Sequence, residues 1–103
     1  MNIFEKQPSE TFKISVGITD VISTEESIVI ADTTIVAIDC NGNDVTSTLL
    51  DLTTKTIYDT TKVQVRVKAS GEEALSPYKI TFLIITDSLN KFEVDVYLRI
   101  RED

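Results

Sequence analysis

The stretch Lys91-Phe92-Glu93-Val94-Asp95-Val96-Tyr97-Leu98-Arg99-Ile100-Arg101, KFEVDVYLRIR, alternates apolar and polar residues without a break. Successive side chains of a β-strand point to opposite faces. Phe92, Val94, Val96, Leu98 and Ile100 therefore share one face, and Lys91, Glu93, Asp95, Tyr97, Arg99 and Arg101 share the other. The pattern predicts a long strand, buried on one side and wet on the other. The same period recurs in Val63, Val65, Val67 and Ala69 against Gln64, Arg66 and Lys68, and again in Phe12, Ile14, Val16 and Ile18.

Two segments are apolar on both faces: Ile28-Val29-Ile30 with Ile35-Val36-Ala37-Ile38, and the run from Tyr78 that ends in Phe82-Leu83-Ile84-Ile85. They are expected to be central strands. Turn signals separate the strands: Thr19-Asp20, Asp32-Thr33-Thr34, Asn41-Gly42, Ser70-Gly71-Glu72-Glu73, Ser76-Pro77 and Asp87-Ser88-Leu89-Asn90. Their short, fairly regular spacing predicts an all-β sandwich or barrel of about seven strands. Residues 45–61, VTSTLLDLTTKTIYDTT, are open between one or two short strands and a turn of helix around Ser47 to Leu52.

Composition agrees. With 10 Val, 13 Ile and 14 Thr among 103 residues, β-branched side chains dominate, and these pack well on a pleated surface. A chain of 11.5 kDa fits a single domain and its own core. The single cysteine, Cys40, rules out an internal disulfide, so packing must hold the fold. A net charge of −7 disfavours nucleic acid as a partner, because binding a phosphate backbone relies on clustered cations. The N-terminal MNIFEKQPSE has no apolar core of a signal peptide, and no apolar run is long enough to span a bilayer, so a soluble species without membrane contact, or one exported without such a signal, is expected.

Motifs that carry chemistry are scarce. The chain has no histidine, which removes histidine-based acid–base catalysis and histidine metal ligation. Its 3 glycines form neither a G-x-G-x-x-G nor a phosphate loop, so no nucleotide cofactor is expected. Asp39-Cys40-Asn41-Gly42-Asn43-Asp44 is rich in oxygen ligands, but its glycine and flanking strand do not match a helix-loop-helix calcium loop. Asn41-Gly42 between apolar residues is read as a hairpin turn of type I′, with positive φ at both central positions. Cys40 lies among acidic residues and lacks an activating base. Glu93 and Asp95 form a possible carboxylate pair for a hydrolase, but Lys91, Arg99 and Arg101 share their face, which favours a solvated charge ladder. Tyr58, Tyr78 and Tyr97 are candidates for a sugar-binding platform, with Tyr78 read as structural.

Apolar residues on outward positions are harder to explain as solvent-facing. Alternation through Tyr78, Ile80, Phe82 and Ile84 puts Leu83 and Ile85 on the outer face, and Val29 with either Ile35 or Val36 stands likewise. Either another part of the chain covers them, such as a loop or residues 45–61, or they dock against another subunit.

The order of residues also resembles a known group. Lys6-Gln7-Pro8-Ser9-Glu10 before Phe12-Lys13-Ile14-Ser15-Val16, and Val36-Ala37-Ile38-Asp39 before Gly42-Asn43-Asp44-Val45-Thr46, resemble small immunoglobulin-like virion proteins of tailed bacteriophages and prophages. Ser76-Pro77-Tyr78-Lys79-Ile80 and the closing Leu98-Arg99-Ile100-Arg101-Glu102-Asp103 are similar to that family's final hairpin. The resemblance implies an immunoglobulin-like β-sandwich of about seven antiparallel strands over residues 10–103, preceded by an N-terminal arm over 1–9. It further implies a non-catalytic tail, fibre-adaptor or neck component, made in the bacterial cytoplasm and resident in the virion. Its partners are expected to be other phage structural proteins and further copies of itself, with no cofactor and no metal. Candidate contact residues are Phe4 and Pro8 in the arm and Val29, Leu83 and Ile85 on outer faces. The alternative is a carbohydrate- or cell-surface-binding immunoglobulin-like module.

Overall fold

A computed structural model describes residues 2–18 and 26–101. It contains seven strands: β1 (Asn2–Lys6), β2 (Phe12–Gly17), β3 (Thr34–Ile38), β4 (Leu50–Tyr58), β5 (Lys62–Val67), β6 (Tyr78–Ile85) and β7 (Lys91–Ile100). One helical turn, α1 (Thr46–Leu49), and one 3₁₀ turn at Glu73–Leu75 interrupt them. Two sheets result, one of four strands in the order β1-β7-β6-β3 and one of three in the order β2-β5-β4. The turn expected at Thr19-Asp20 lies outside the described residues.

The alternating apolar residues meet between the sheets. Ile14 and Val16 from β2 and Val63, Val65 and Val67 from β5 face Ile35 and Ala37 from β3, Ile80, Phe82 and Ile84 from β6, and Val96, Leu98 and Ile100 from β7. All are buried, and each large side chain so removed from water contributes roughly 1.5 to 3 kcal/mol. Leu49 and Leu50, at the junction of α1 and β4, close one end of this core.

Tyr78 opens β6, and its hydroxyl accepts the Glu72 backbone N–H at 3.0 Å, six residues upstream. This is the tyrosine corner of immunoglobulin-like sandwiches. In domains with the inter-sheet disulfide, the second cysteine follows two residues after that tyrosine; here the position is Ile80, fully buried. Gly71 is required beside the corner, because its φ is +108° and a Cβ there would lie 2.8 Å from Ile100 Cδ1.

Several expectations are corrected. Residues 2–6 are no detached arm: β1 pairs in parallel with β7, Asn2 opposite Val96 through Lys6 opposite Ile100, so the sheet is mixed and not wholly antiparallel. The Lys6 side chain is buried, and its ammonium donates to the Gln7 and Pro8 carbonyls at 2.9 Å each. That burial lowers the Lys6 pKa, with the Glu10 charge opposing the shift.

The segment Ile28 to Ile38 is not a pair of central strands. Ile28 makes a single bridge to Thr86. The Val29 carbonyl then accepts the N–H groups of Asp32 and Thr33 and the Thr33 hydroxyl, which turns the chain into β3 at the edge of the sheet. The edge is covered at Ala37, whose N–H reaches the Thr46 hydroxyl at 2.9 Å and whose carbonyl takes the Val45 N–H. Residues 45–61 resolve into both structures left open, a helical turn and one long strand, with a register shift between Asp51 and Thr56. Within that irregular stretch Lys55 donates to the Thr33 carbonyl at 2.6 Å, tying this edge strand to the entry of β3.

Candidate functional site: the outer face of the four-stranded sheet

The two faces of β6 alternate without exception, buried inside and half-buried outside. Register places its outward Lys79, Thr81, Leu83 and Ile85 beside Tyr97, Asp95, Glu93 and Lys91 of β7. On the other flank Thr34, Val36 and Ile38 of β3 stand opposite Leu83, Thr81 and Lys79. Ile3 of β1 stands beside Tyr97. A row of Ile3, Tyr97, Lys79 and Ile38 thus crosses the whole sheet, and Val36, Leu83 and Ile85 extend its apolar character along the strands. Ile3 is 53% exposed and Val36 42%, although a charged residue would suit either position if water were the only neighbour.

Polar pairs link neighbouring strands across this surface. Asp95 accepts the Thr81 hydroxyl at 2.8 Å and lies 3.7 Å from the Lys79 ammonium. Arg101 meets Glu5 at 3.2 Å. Glu93 and Asp95 are therefore members of a ladder of mixed charge, with Asp95 engaged by β6. Ion pairs this exposed contribute little to stability, about 0 to 1 kcal/mol, and remain free to exchange partners.

The candidate contact residues scatter. Leu83 and Ile85 sit on this face, half-buried between neighbouring strands. Val29 is at its end, with its N–H donating to the Ile85 carbonyl. Phe4 turns the other way and packs against the core, and Pro8 lies in the turn that takes the Lys6 ammonium. The outward residue of β1 is Ile3, one position from Phe4, and that single step reverses the face of a strand. Between Ile35 and Val36, both open from the sequence, Val36 is the outward one; Ile3 and Tyr97 are not among the sequence candidates for protein contact, and their signal is the register of β1 on β7, which no single-strand pattern contains.

The remaining motifs have local roles. Asp39 is buried and accepts the N–H groups of Asn41 and Asn43 at 2.9 and 3.0 Å, while its carbonyl takes the Gly42 N–H. The loop is a turn closed on its own aspartate, with Gly42 at φ +85°. Type I′ geometry is absent there, since Asn41 has no positive φ; the consecutive positive values belong to Asp59 and Thr60 in the β4–β5 connection. The bonds from Asn43, Asn41 and Gly42 outweigh burial and lower the Asp39 pKa. Asp44 is lowered by the Thr46 N–H and hydroxyl, and Asp51 mainly by the Thr53 hydroxyl. No group of three metal-ligating side chains gathers among the described residues.

Cys40 is exposed, with its thiol 3.7 Å from the Ala74 carbonyl. Tyr58 and Tyr97 stand on different sheets and Tyr78 is buried, so the tyrosines form no common platform. A cavity of about 350 Å3 beside the tyrosine corner is lined by Val45, Leu49, Leu75 and Tyr78 and, at its rim, by Thr48 and Glu72; Glu72 is its one charged residue. No helix among the described residues is long and apolar enough to cross a membrane.

Comparison of the sequence with protein-family models finds no match, and comparison with curated proteins finds none either. Solved structures do match. The chain is similar to the ZIG-8 IG1 homodimer at a TM-score of 0.55 and 13% identity, over 99% of this chain and 80% of that one. It is also similar to murine CRIg at a TM-score of 0.54 and 11% identity, over 99% of this chain and 94% of that one. With the two-sheet topology and the tyrosine corner, these likenesses establish the fold: the chain is an immunoglobulin-like β-sandwich.

Proposed function

We propose that the protein is a non-catalytic docking module, a structural component of the virion of a tailed bacteriophage or prophage. It works by burying the outer face of its four-stranded sheet against other virion proteins and further copies of itself. The observation that carries the docking half is the chemistry of that face. Ile3 and Val36, exposed, and Ile38, Leu83, Ile85 and Tyr97, half-buried, share one face of that sheet, and none of the described residues forms a layer over it. The virion half is supported by the resemblance of the first strands, the Asp39 to Asp44 loop and the last hairpin to phage immunoglobulin-like proteins. The solved homodimer of the similar ZIG-8 domain supports association between copies.

An immunoglobulin-like domain offers binding surfaces, and the polar groups here are spent on loops and ladders instead of converging on a substrate-sized pocket. A sugar-binding reading lacks its platform once Tyr58 and Tyr97 are on separate sheets.

Two arms test the proposal. Antibody against the protein, applied to intact particles from the source bacterium, is expected to label them at a fixed position; absence of the protein from purified particles overturns the virion assignment. Leu83→Glu, which also stands a second carboxylate beside Glu93, is expected to abolish incorporation in a chain that still folds, with a modest fall in melting temperature. Normal incorporation of that variant overturns the mapping of the docking face.

A further inference from the structure

The outward residues of β7 carry an order of charges that a random wet face does not need. After Lys91 they are Glu93, Asp95, Tyr97, Arg99 and, just past the end of the strand, Arg101, so that the run from Glu93 onward is two anions, a tyrosine and two cations. Their orientation is fixed by the burial of Val96, Leu98 and Ile100 between them and by the Arg101 side chain reaching outward Glu5. The pattern is antisymmetric about Tyr97. If a second identical strand is laid over this one in the opposite direction with the two tyrosines in register, Asp95 falls on Arg99 and Glu93 falls on Arg101. Both pairings occur twice, once from each copy.

We propose that the outer face of the four-stranded sheet binds a second copy of this chain face to face. The two-fold axis runs across the strands at Tyr97 and sets β7 of one protomer antiparallel over β7 of the other. The inference rests on the docking reading above and names its partner. A two-fold contact must be self-complementary, because residue i of one copy meets residue j of the other and j meets i. Charge order along β7 satisfies that condition, and the row through the axis is largely apolar: Ile3, Tyr97 and Ile38 each meet their own counterpart. Lys79 lies in the same row and also meets itself; Asp95 at 3.7 Å in each protomer offsets that repulsion.

About the Tyr97 axis β7 overlies its counterpart along its length, whereas β1, β6 and β3 overlie theirs only near Ile3, Lys79 and Ile38, so the contact is a narrow one centred on β7. Parallel stacking of the strands would place anion on anion and cation on cation at every pair, so the same charges that favour one orientation exclude the other.

The test is sedimentation of the full chain over a concentration series, on wild type and three variants. Wild type is expected to form dimers. Glu93→Arg alone and Arg101→Glu alone each put like charges together twice and are expected to weaken the dimer at least about tenfold, with melting temperatures that confirm folding. The double variant Glu93→Arg/Arg101→Glu restores opposite charges and is expected to recover affinity to within about threefold of wild type. In a Cys40→Ser background, Tyr97→Cys is expected to link to itself through a short bis-maleimide, whereas Ser88→Cys in the β6–β7 turn is not. A wild-type chain that stays monomeric at the highest concentration overturns the proposal, as does a dimer whose double variant is no tighter than the singles. Either result leaves docking to other virion proteins standing, since particle labelling and the Leu83→Glu incorporation arm judge that separately.

Discussion

The outer face of the three-stranded sheet presents Lys13 and Ser15 from β2, Gln64 and Arg66 from β5 and Tyr58 at the end of its edge strand β4, whereas that of the four-stranded sheet sets Ile3, Val36, Leu83 and Tyr97 among Lys79, Glu93 and Asp95. Both sheets bury the same kind of inner face, chiefly Val and Ile, so the requirements of the core are alike on the two sides. The polar face is what an antiparallel sheet shows to water. Apolar residues on the opposite face are not needed to form the sandwich, and in the proposed reading they are the docking surface.

The largest expected effect tests what the two faces share. Phe82→Ala empties the centre of the core, and is expected to cost about 3 to 5 kcal/mol of stability in chemical denaturation, disordering both faces together. Association separates them. Leu83→Glu is expected to weaken docking by at least about tenfold, with a loss of stability of at most about 1 kcal/mol from facing Glu93, while Gln64→Glu on the opposite face changes neither; equal effects on docking at both sites would erase the contrast.

Tyr78→Phe removes the acceptor of the Glu72 N–H, and is expected to lower stability by about 1 kcal/mol without altering association. In the hairpin of the three-stranded sheet, Asp59 and Thr60 hold φ values of 54° and 59°, unfavourable for residues with a Cβ. Thr60→Gly is expected to stabilise the chain by about 1 kcal/mol, again with no effect on docking. Acid acts least selectively. The carboxyls of Asp39, Asp44 and Asp51 have pKa values lowered by hydrogen bonds in the folded state. Their stabilisation is therefore complete above the unfolded carboxylate pKa of about 3.9 and is lost as pH falls through the lower folded values. A melting series between about pH 5 and 2 is expected to be shallower for the triple Asp39→Asn/Asp44→Asn/Asp51→Asn variant than for wild type.

How far the sequence anticipated this molecule depended on whether the signal was local. The strands β2, β5 and β7 were plain in the alternation because one face of each meets the core and the other meets solvent or charge. The corner tyrosine was legible as structural from its place at the start of β6. By contrast, β1 is short, ends in Lys6 and is followed by Gln7 and Pro8, a run that looks like a tail. Its strand nature rests on pairing with β7 at the far end of the chain. An edge strand with an apolar outer face has the same sequence as a central strand, which is why β3 was expected inside the sheet. The threonine-rich β4 hides its period behind a register shift, with Leu52 and Ile57 exposed and Lys55 drawn across to Thr33.

On the proposed docking face, the outward positions of Leu83 and Ile85 follow from the alternation of β6 alone, whereas the outward residue of β1 is Ile3 and Phe4 packs against the core; that was not legible, because nothing local fixes which face of β1 turns inward. Val36 remained undecided against Ile35 for the same reason; burial of Ile35 settles it.

Alkylation rates at two single cysteines put the contrast between the sheets to its most direct test. In a Cys40→Ser background, Leu83→Cys reports on the four-stranded face and Gln64→Cys on the three-stranded face, each measured in isolated chain and in purified particles. Protection on assembly at position 83 with an unchanged rate at position 64 is the expected result. An unchanged rate at 83, or protection at 64 instead, would contradict the assignment of the docking surface.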